Sequence, residues 1–263
     1  ACFPAKVVHG HIVQMINGQE NILFYPCMTY NVDEHQSDNH FNCPLVAYYP
    51  ENIAANMEFG DKFFLYPYIS LDDENSFAKT MKKTLEQANL HYTKKQLKIA
   101  LQEGLLERQL FHEKLVQKHL DAVSYARAHH HPMVVLCGRP YHLDPLINHQ
   151  IHQLLTQLGF VVLSEESVPR QDRQKVYVLN QWTYHARLYQ AAKYVCENPD
   201  MELVQLVSFG CGIDAITSDE VKDILKDADK FYTQIKIDEI DNLGAARIRL
   251  RSLKEAIEEG KED

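Results

Sequence analysis

PMVVLCGRPYHLDPLINH, residues 132–149, carries an unbroken apolar run, a break and a helix start in direct succession. The run MVVLC shows no alternation of apolar and polar residues, which reads as a strand buried on both faces, as parallel sheets require. Gly138 breaks the strand. Asp144 followed by Pro145 reads as the N-cap and first position of a helix over 145–158. A strand passing through a loop into a helix is the unit of parallel α/β folds.

The same grammar continues on both sides. Downstream, the pattern predicts a strand at FVVL (160–163), a helix over about 174–196 and a strand at LVQLVSF (203–209). A helix over 213–226, a strand at YTQIKID (232–238) and a last helix over 242–258 complete this lobe, ahead of an acidic, solvent-facing tail. Upstream, a helix over 4–16 precedes the buried strand NILFYP (21–26) and a polar loop from Asn31 to Asn42. Strands at LVAYYP (45–50) and KFFLYPYIS (62–70) and a helix over 74–88 follow. From Thr93 to Arg127 the chain lacks proline and spaces apolar residues by three and four, which predicts one long helix. The expected architecture is α/β: lobes at 1–92 and 132–263 with parallel sheets, joined by a long helix within 93–131, and a cleft between them.

With 263 residues and 45% hydrophobics, the chain can bury one large or two medium cores. The net charge of −9, with cations interspersed among acids, supplies no phosphate-tracking surface, so nucleic acid is not an expected partner. No apolar run approaches the roughly 20 residues that span a bilayer, and no charged-then-apolar leader precedes Ala1. No membrane association is expected, and a cytoplasmic location is.

Six cysteines occur, at positions 2, 27, 43, 137, 196 and 211. In a chain of this size in a reducing compartment they are packed thiols, a reactive thiol or metal ligands rather than a disulfide framework. Ligands of open parallel sheets gather beyond the carboxyl ends of the strands. Cys27 directly follows one strand and Cys211 another, Cys43 ends the polar loop, and Cys2 begins a helix on the same rim. Soft sulfur donors held close together can bind an iron-sulfur cluster or zinc. The long, irregular spacing without a CxxC leaves packed thiols as the alternative. Glycines flank Cys211 in FGCGID, where backbone N–H groups can approach an anion closely, a feature that a core thiol does not need. Cys137 and Cys196, at the ends of a strand and a helix, read as packed.

In LCGRPYHLDPLINH, Arg139, Tyr141 and His142 fall in a strand-to-helix loop. Such a loop can hold an anion with Arg139 and the helix N-terminus, or aim Tyr141 and His142 at a substrate. The alternative is a capped turn in which these side chains pack. Neither GxGxxG nor a GK[ST] ending is present, so no dinucleotide or P-loop site is indicated. In KIDEIDNLGAARIRLRSL (236–253), Asp238 and Glu239 end a strand and Asn242 can cap the next helix; the arginines there read as salt-bridging. His129, His130 and His131 beside Pro132 read as a solvated turn, and His9 and His11 lie on different faces of one helix.

CFPAKVVHGHI, FYPCMTY, NCPLVAYYPE, LCGRPYHLDPLINH, VQLVSFGCGIDAI and KIDEIDNLGAARIRLRSL, in that order, resemble the activase-associated domain of the 2-hydroxyacyl-CoA dehydratase activator family, which is related to the cluster-binding dehydratase subunits. The resemblance covers nearly the whole chain. It implies two Rossmann-like lobes with a cysteine-bound 4Fe-4S cluster between them, supplied with low-potential electrons by an ATP-driven activator of the acetate kinase/Hsp70 type. Carried over by motif, the ligands are Cys2, Cys27, Cys43 and Cys211. The expected function is an iron-sulfur redox module that relays electrons. A catalytic cluster acting on an acyl-CoA-like substrate through Arg139, Tyr141 and His142 is one alternative, and a metal-free scaffold docking the ATPase activator is another. No ATPase phosphate motif is present, so ATP hydrolysis belongs to a partner or another domain. Oxygen is expected to destroy the cluster or leave zinc in its place. A chain opening on Cys2 reads as a domain cut from a longer polypeptide.

Overall fold

The computed structural model describes residues 3–208, 210–237 and 243–259. Cys2, Asp238, Glu239 and Asn242, all singled out above, lie outside the described residues. The structure is mixed α/β with parallel sheets, as the strand–helix alternation predicts. The described residues divide into two units, those in 3–111 with Gln181–Thr183, and those in 112–180 with those in 184–259.

The first unit contains α1 (Phe3–Ile16), β1 (Ile22–Phe24), α2 (Pro44–Asn56), β2 (Phe63–Leu65) and α3 (Glu74–Glu86). Strands β1 and β2 pair in parallel, Ile22 with Phe63 and Phe24 with Leu65, and a further parallel bridge joins Cys27 to Tyr68. The expected strand at LVAYYP is instead the start of α2. Cys43 precedes it as N-cap with Pro44 in the first turn, a helix-start signal that outweighs the β-branched and aromatic content. Its buried residues Ala47, Pro50 and Ile53 recur every three positions, a helical rather than a strand period. Asp73 caps α3 by accepting from the Asn75 and Ser76 amides.

Helix α4 (Lys94–Ala128) contributes to both units. Thr93 and Gln96 form a reciprocal cap at its start: the Thr93 amide donates to Gln96 Oε1 (2.9 Å) and the Gln96 amide to Thr93 Oγ1 (3.2 Å).

The second unit holds β3 (Met133–Cys137), α5 (Ile151–Gln157), β4 (Val161–Ser164), all but the first residue of α6 (Thr183–Cys196), β5 (Met201–Ser208), α7 (Gly212–Lys226), β6 (Tyr232–Ile237) and α8 (Gly244–Glu259). Its four strands are parallel in the order β4-β3-β5-β6. All five residues of β3 are buried, so both faces are covered, which accounts for its unbroken apolar run. One core joins Met133, Val135, Leu203 and Leu188, with Cys137 within it and Cys196 packed against it. Two expected helices are shorter than predicted. Asp144 does cap, accepting from the Leu146 and Ile147 amides, but only a turn, because His149 and Gln150 then adopt left-handed backbone (φ 50° and 60°) before α5. Helix α6 starts at Thr183 rather than near 174.

Among the described residues no helix is long and apolar enough to cross a membrane. The His129–His131 turn is exposed, and His129 Nδ1 bonds the Tyr125 carbonyl (2.8 Å). On α1, His9 Nε2 shares a hydrogen bond with Tyr49 Oη (2.7 Å).

Candidate functional site

In the order β4-β3-β5-β6 the chain leaves β3 toward one side of the sheet and crosses over to β5 on the other. The loops after β3 and β5 therefore diverge, opening the crevice at which open parallel sheets bind ligands. Arg139, Tyr141 and His142 follow β3; Ser208 ends β5; Cys211 caps α7 and Asp214 lies in its first turn.

These residues form one network. Arg139 Nη1 donates to Cys211 Sγ (3.1 Å), and Arg139 Nη2 pairs with Asp214 Oδ1. The other oxygen of Asp214 accepts from the Ser208 amide (2.9 Å), tying the start of α7 to the end of β5. Tyr141 Oη and Ser208 Oγ share a hydrogen bond of 2.8 Å. The Arg139 amide donates to His142 Nδ1 (3.0 Å), so the ring proton sits on Nε2, which donates to Ser208 Oγ at 3.3 Å. A short turn, Pro140–Leu143, fixes this arrangement, and Asn148 Nδ2 secures it by donating to the His142 carbonyl (2.9 Å).

Gly138 is required by close approach: a Cβ there would stand 2.5 Å from His142 Nδ1. Gly210 is required by conformation, with φ +76° on the way into α7. A Cβ on Gly212 would meet nothing within 4 Å, so the space beside Cys211 is open on that side.

The electrostatics follow from burial. Burial, reinforced by the Arg139 charge, lowers His142 to about 3 and keeps it neutral. Burial pushes the Tyr141 hydroxyl up to about 12, against the pull of Arg139 and Ser208. Burial also raises the Asp214 carboxyl, while Arg139 and the Ser208 amide pull it back. His185 on α6 is lowered to about 3, by burial first and then by Arg139. Neither of its ring nitrogens has a hydrogen-bond partner among the described residues.

The first unit holds two more of the expected ligands. Cys27 is fully buried just beyond β1, and burial, followed by the nearby Glu51 charge, pushes its thiol up. Cys43 caps α2. Asn42 ties their segments together, donating from Nδ2 to the Met28 carbonyl (3.0 Å) and from its amide to the Thr29 carbonyl (2.9 Å). Both thiols act on Tyr25, whose hydroxyl is raised by burial, then by Tyr49, Cys27 and Cys43. Among the described residues no three His, Cys, Asp or Glu side chains are grouped to hold a metal. The donor chemistry nonetheless suits a thiophilic group, because neither Cys43 nor Cys211 spends its side chain on a capping hydrogen bond.

The structure thus gathers Arg139, Tyr141, His142 and Cys211 in the second unit, and Cys27 and Cys43 in the first. Sequence reading missed Ser208, Asp214 and His185. An acid three residues after Cys211 in the first turn of a helix was a readable partner for Arg139; nothing marked His185.

A family model for the CoA enzyme activase uncharacterised domain matches residues 1–168. No curated protein and no solved structure matches the chain.

Proposed function

We propose, because the chain belongs to the CoA enzyme activase uncharacterised domain family, that it is the cytoplasmic iron-sulfur redox module of an activase-related protein. In this reading Cys2, Cys27, Cys43 and Cys211 hold a 4Fe-4S cluster that receives low-potential electrons from an ATP-driven activator. The observation that carries the reading is the placement of Cys43 and Cys211 as N-caps whose sulfurs are not engaged in capping. Metal-binding sulfur is anionic, and a helix N-terminus favours negative charge. Bound there, the cluster supplies one-electron transfer. Arg139 acts on the protein side: its donation to Cys211 Sγ sets a buried cation beside a ligand atom and fixes the direction of that side chain.

Anaerobic reconstitution of the full chain tests this. About four irons and as many sulfides per chain, with a brown chromophore, are expected for a cluster of this type. Cys27→Ala, Cys43→Ala and Cys211→Ala should each deplete both. A full complement in Cys211→Ala overturns the assignment, and an iron-free wild-type chain favours the docking scaffold.

The catalytic alternative, with an acyl-CoA-like substrate contacting Arg139, Tyr141 and His142, is favoured by one observation: all three stand at the crossover crevice of the second unit. Saturable binding of a CoA thioester, lost in Arg139→Ala while iron is retained, would select it over the relay.

A further inference from the structure

A cavity of about 330 Å³ opens within the second unit beyond the carboxyl ends of β3 and β4, walled by α4 on one side. Its volume lies at the low end of the roughly 300–1,000 Å³ of small-molecule sites, so it suits a small occupant. What that occupant must be follows from which lining groups still have bonding capacity.

Most of the polar lining is already engaged. Ser167 Oγ donates to the Ser164 carbonyl (2.7 Å), so it accepts from His119 Nδ1 (2.9 Å). His119 Nε2 is then left to accept from Tyr194 Oη (3.1 Å). His142 and Arg139 are committed to Ser208, Asp214 and Cys211, and Asn148 to the His142 carbonyl and to His152. The rest of the wall is aliphatic, from Leu115, Leu136, Val162, Leu163 and Leu206. Such an interior attracts apolar matter rather than water.

Cationic side chains outnumber acids at the lining. Lys118 on α4 is exposed and has no hydrogen-bond or ion-pair partner among the described residues. Arg139 also lines the cavity, and the single acid there is Glu165. Burial pushes Glu165 up to about 7, so it is only partly charged at neutral pH.

We propose that this cavity binds a short aliphatic carboxylate, its chain against Leu136, Leu163 and Leu206 and its carboxylate paired with Lys118. The site needs no metal, so it stands independently of the cluster reading.

Calorimetric titration of the metal-free full chain with butyrate and with its uncharged isostere butanamide tests the proposal. Saturable butyrate binding, stronger than that of butanamide, is expected. Ala122→Leu, on the α4 wall, should fill the cavity and abolish both. Lys118→Gln should weaken butyrate about fivefold, the value of a partly exposed ion pair, and erase its advantage over the amide. The proposal is overturned by an absence of saturable butyrate binding, by wild-type affinity in a folded Ala122→Leu chain, or by an unchanged butyrate preference in Lys118→Gln. Should Ala122→Leu fail to fold, as judged by circular dichroism, the exposed Lys118 substitution decides.

Discussion

Arg139 Nη1 stands 3.1 Å from Cys211 Sγ while the other arm of the same guanidinium pairs with Asp214, so one side chain links the loop after β3 to the first turn of α7. The ion pair is buried, with 9% and 7% of the two side chains exposed. Removing one partner strands the other charge in a dry site, which costs about 3–5 kcal/mol. Arg139→Met should therefore lower the free energy of unfolding by that order in denaturant titrations. Arg139→Met combined with Asp214→Asn should recover much of the loss, because no lone charge remains and the amide oxygen of the new side chain can still accept from the Ser208 amide. A double variant as unstable as the single one would show that the pair matters through shape rather than charge.

Gly138→Ala should destabilise by about 1–3 kcal/mol, the usual cost of overpacking. The added methyl would come 2.5 Å from His142 Nδ1 and 3.0 Å from its Cβ and Cγ, forcing the ring off the Arg139 amide. His142→Ala removes the ring and leaves only the Cβ at 3.0 Å. In a double-mutant cycle read by thermal unfolding, Gly138→Ala should cost less in the His142→Ala background than in wild type; additive costs would place the strain elsewhere.

The second unit was the more legible half. The runs MVVLC and LVQLVS announce themselves because a strand buried on both faces leaves little room for polar alternation, and the structure pairs the two in parallel at the centre of the four-stranded sheet. LVAYYP reads as a strand because it is a short apolar run, whereas Cys43 and Pro44 commit the backbone to a helix first. Arg139, Tyr141 and His142 were identifiable from the loop after a buried strand. The hydroxyl that joins two of them, on Ser208, lies some seventy positions along and depends on the pairing of β3 with β5, which no local signal encodes. His119 and His185 were unreadable for the same reason: their burial is set by helix packing, and their sequence neighbourhoods are ordinary.

Three histidines should make the fold acid-labile. Burial lowers His119 to about 4, and His142 and His185 to about 3, from an ordinary value of 6.5. The unfolded chain thus takes up protons on these residues before the folded one does. Their contribution to stability is complete above pH 6.5 and is lost as pH falls toward 4 and then 3. The melting temperature should fall across that window, and His185→Gln, which removes a titrating ring with no bonded partner, should flatten the fall. An identical pH profile in the variant would refute a role for His185.

Glu165 should act in the opposite sense at higher pH. It follows β4 in a short turn, and burial raises its carboxyl from 4.5 to about 7, against the pull of the backbone amides and Arg187. Since the folded state holds this proton more tightly than the unfolded chain, the associated stability is fully present below pH 4.5 and is lost as pH rises through 7. The shift corresponds to about 3 kcal/mol at most. Glu165→Gln keeps a neutral side chain of the same length and can still accept from the Gly138 amide. It should leave stability near wild type at pH 4.5 and exceed it above pH 7.5, with the gap opening between. Chemical denaturation of both proteins at the two pH values measures that gap directly, and a constant difference between them would show that Glu165 keeps its charge through that range.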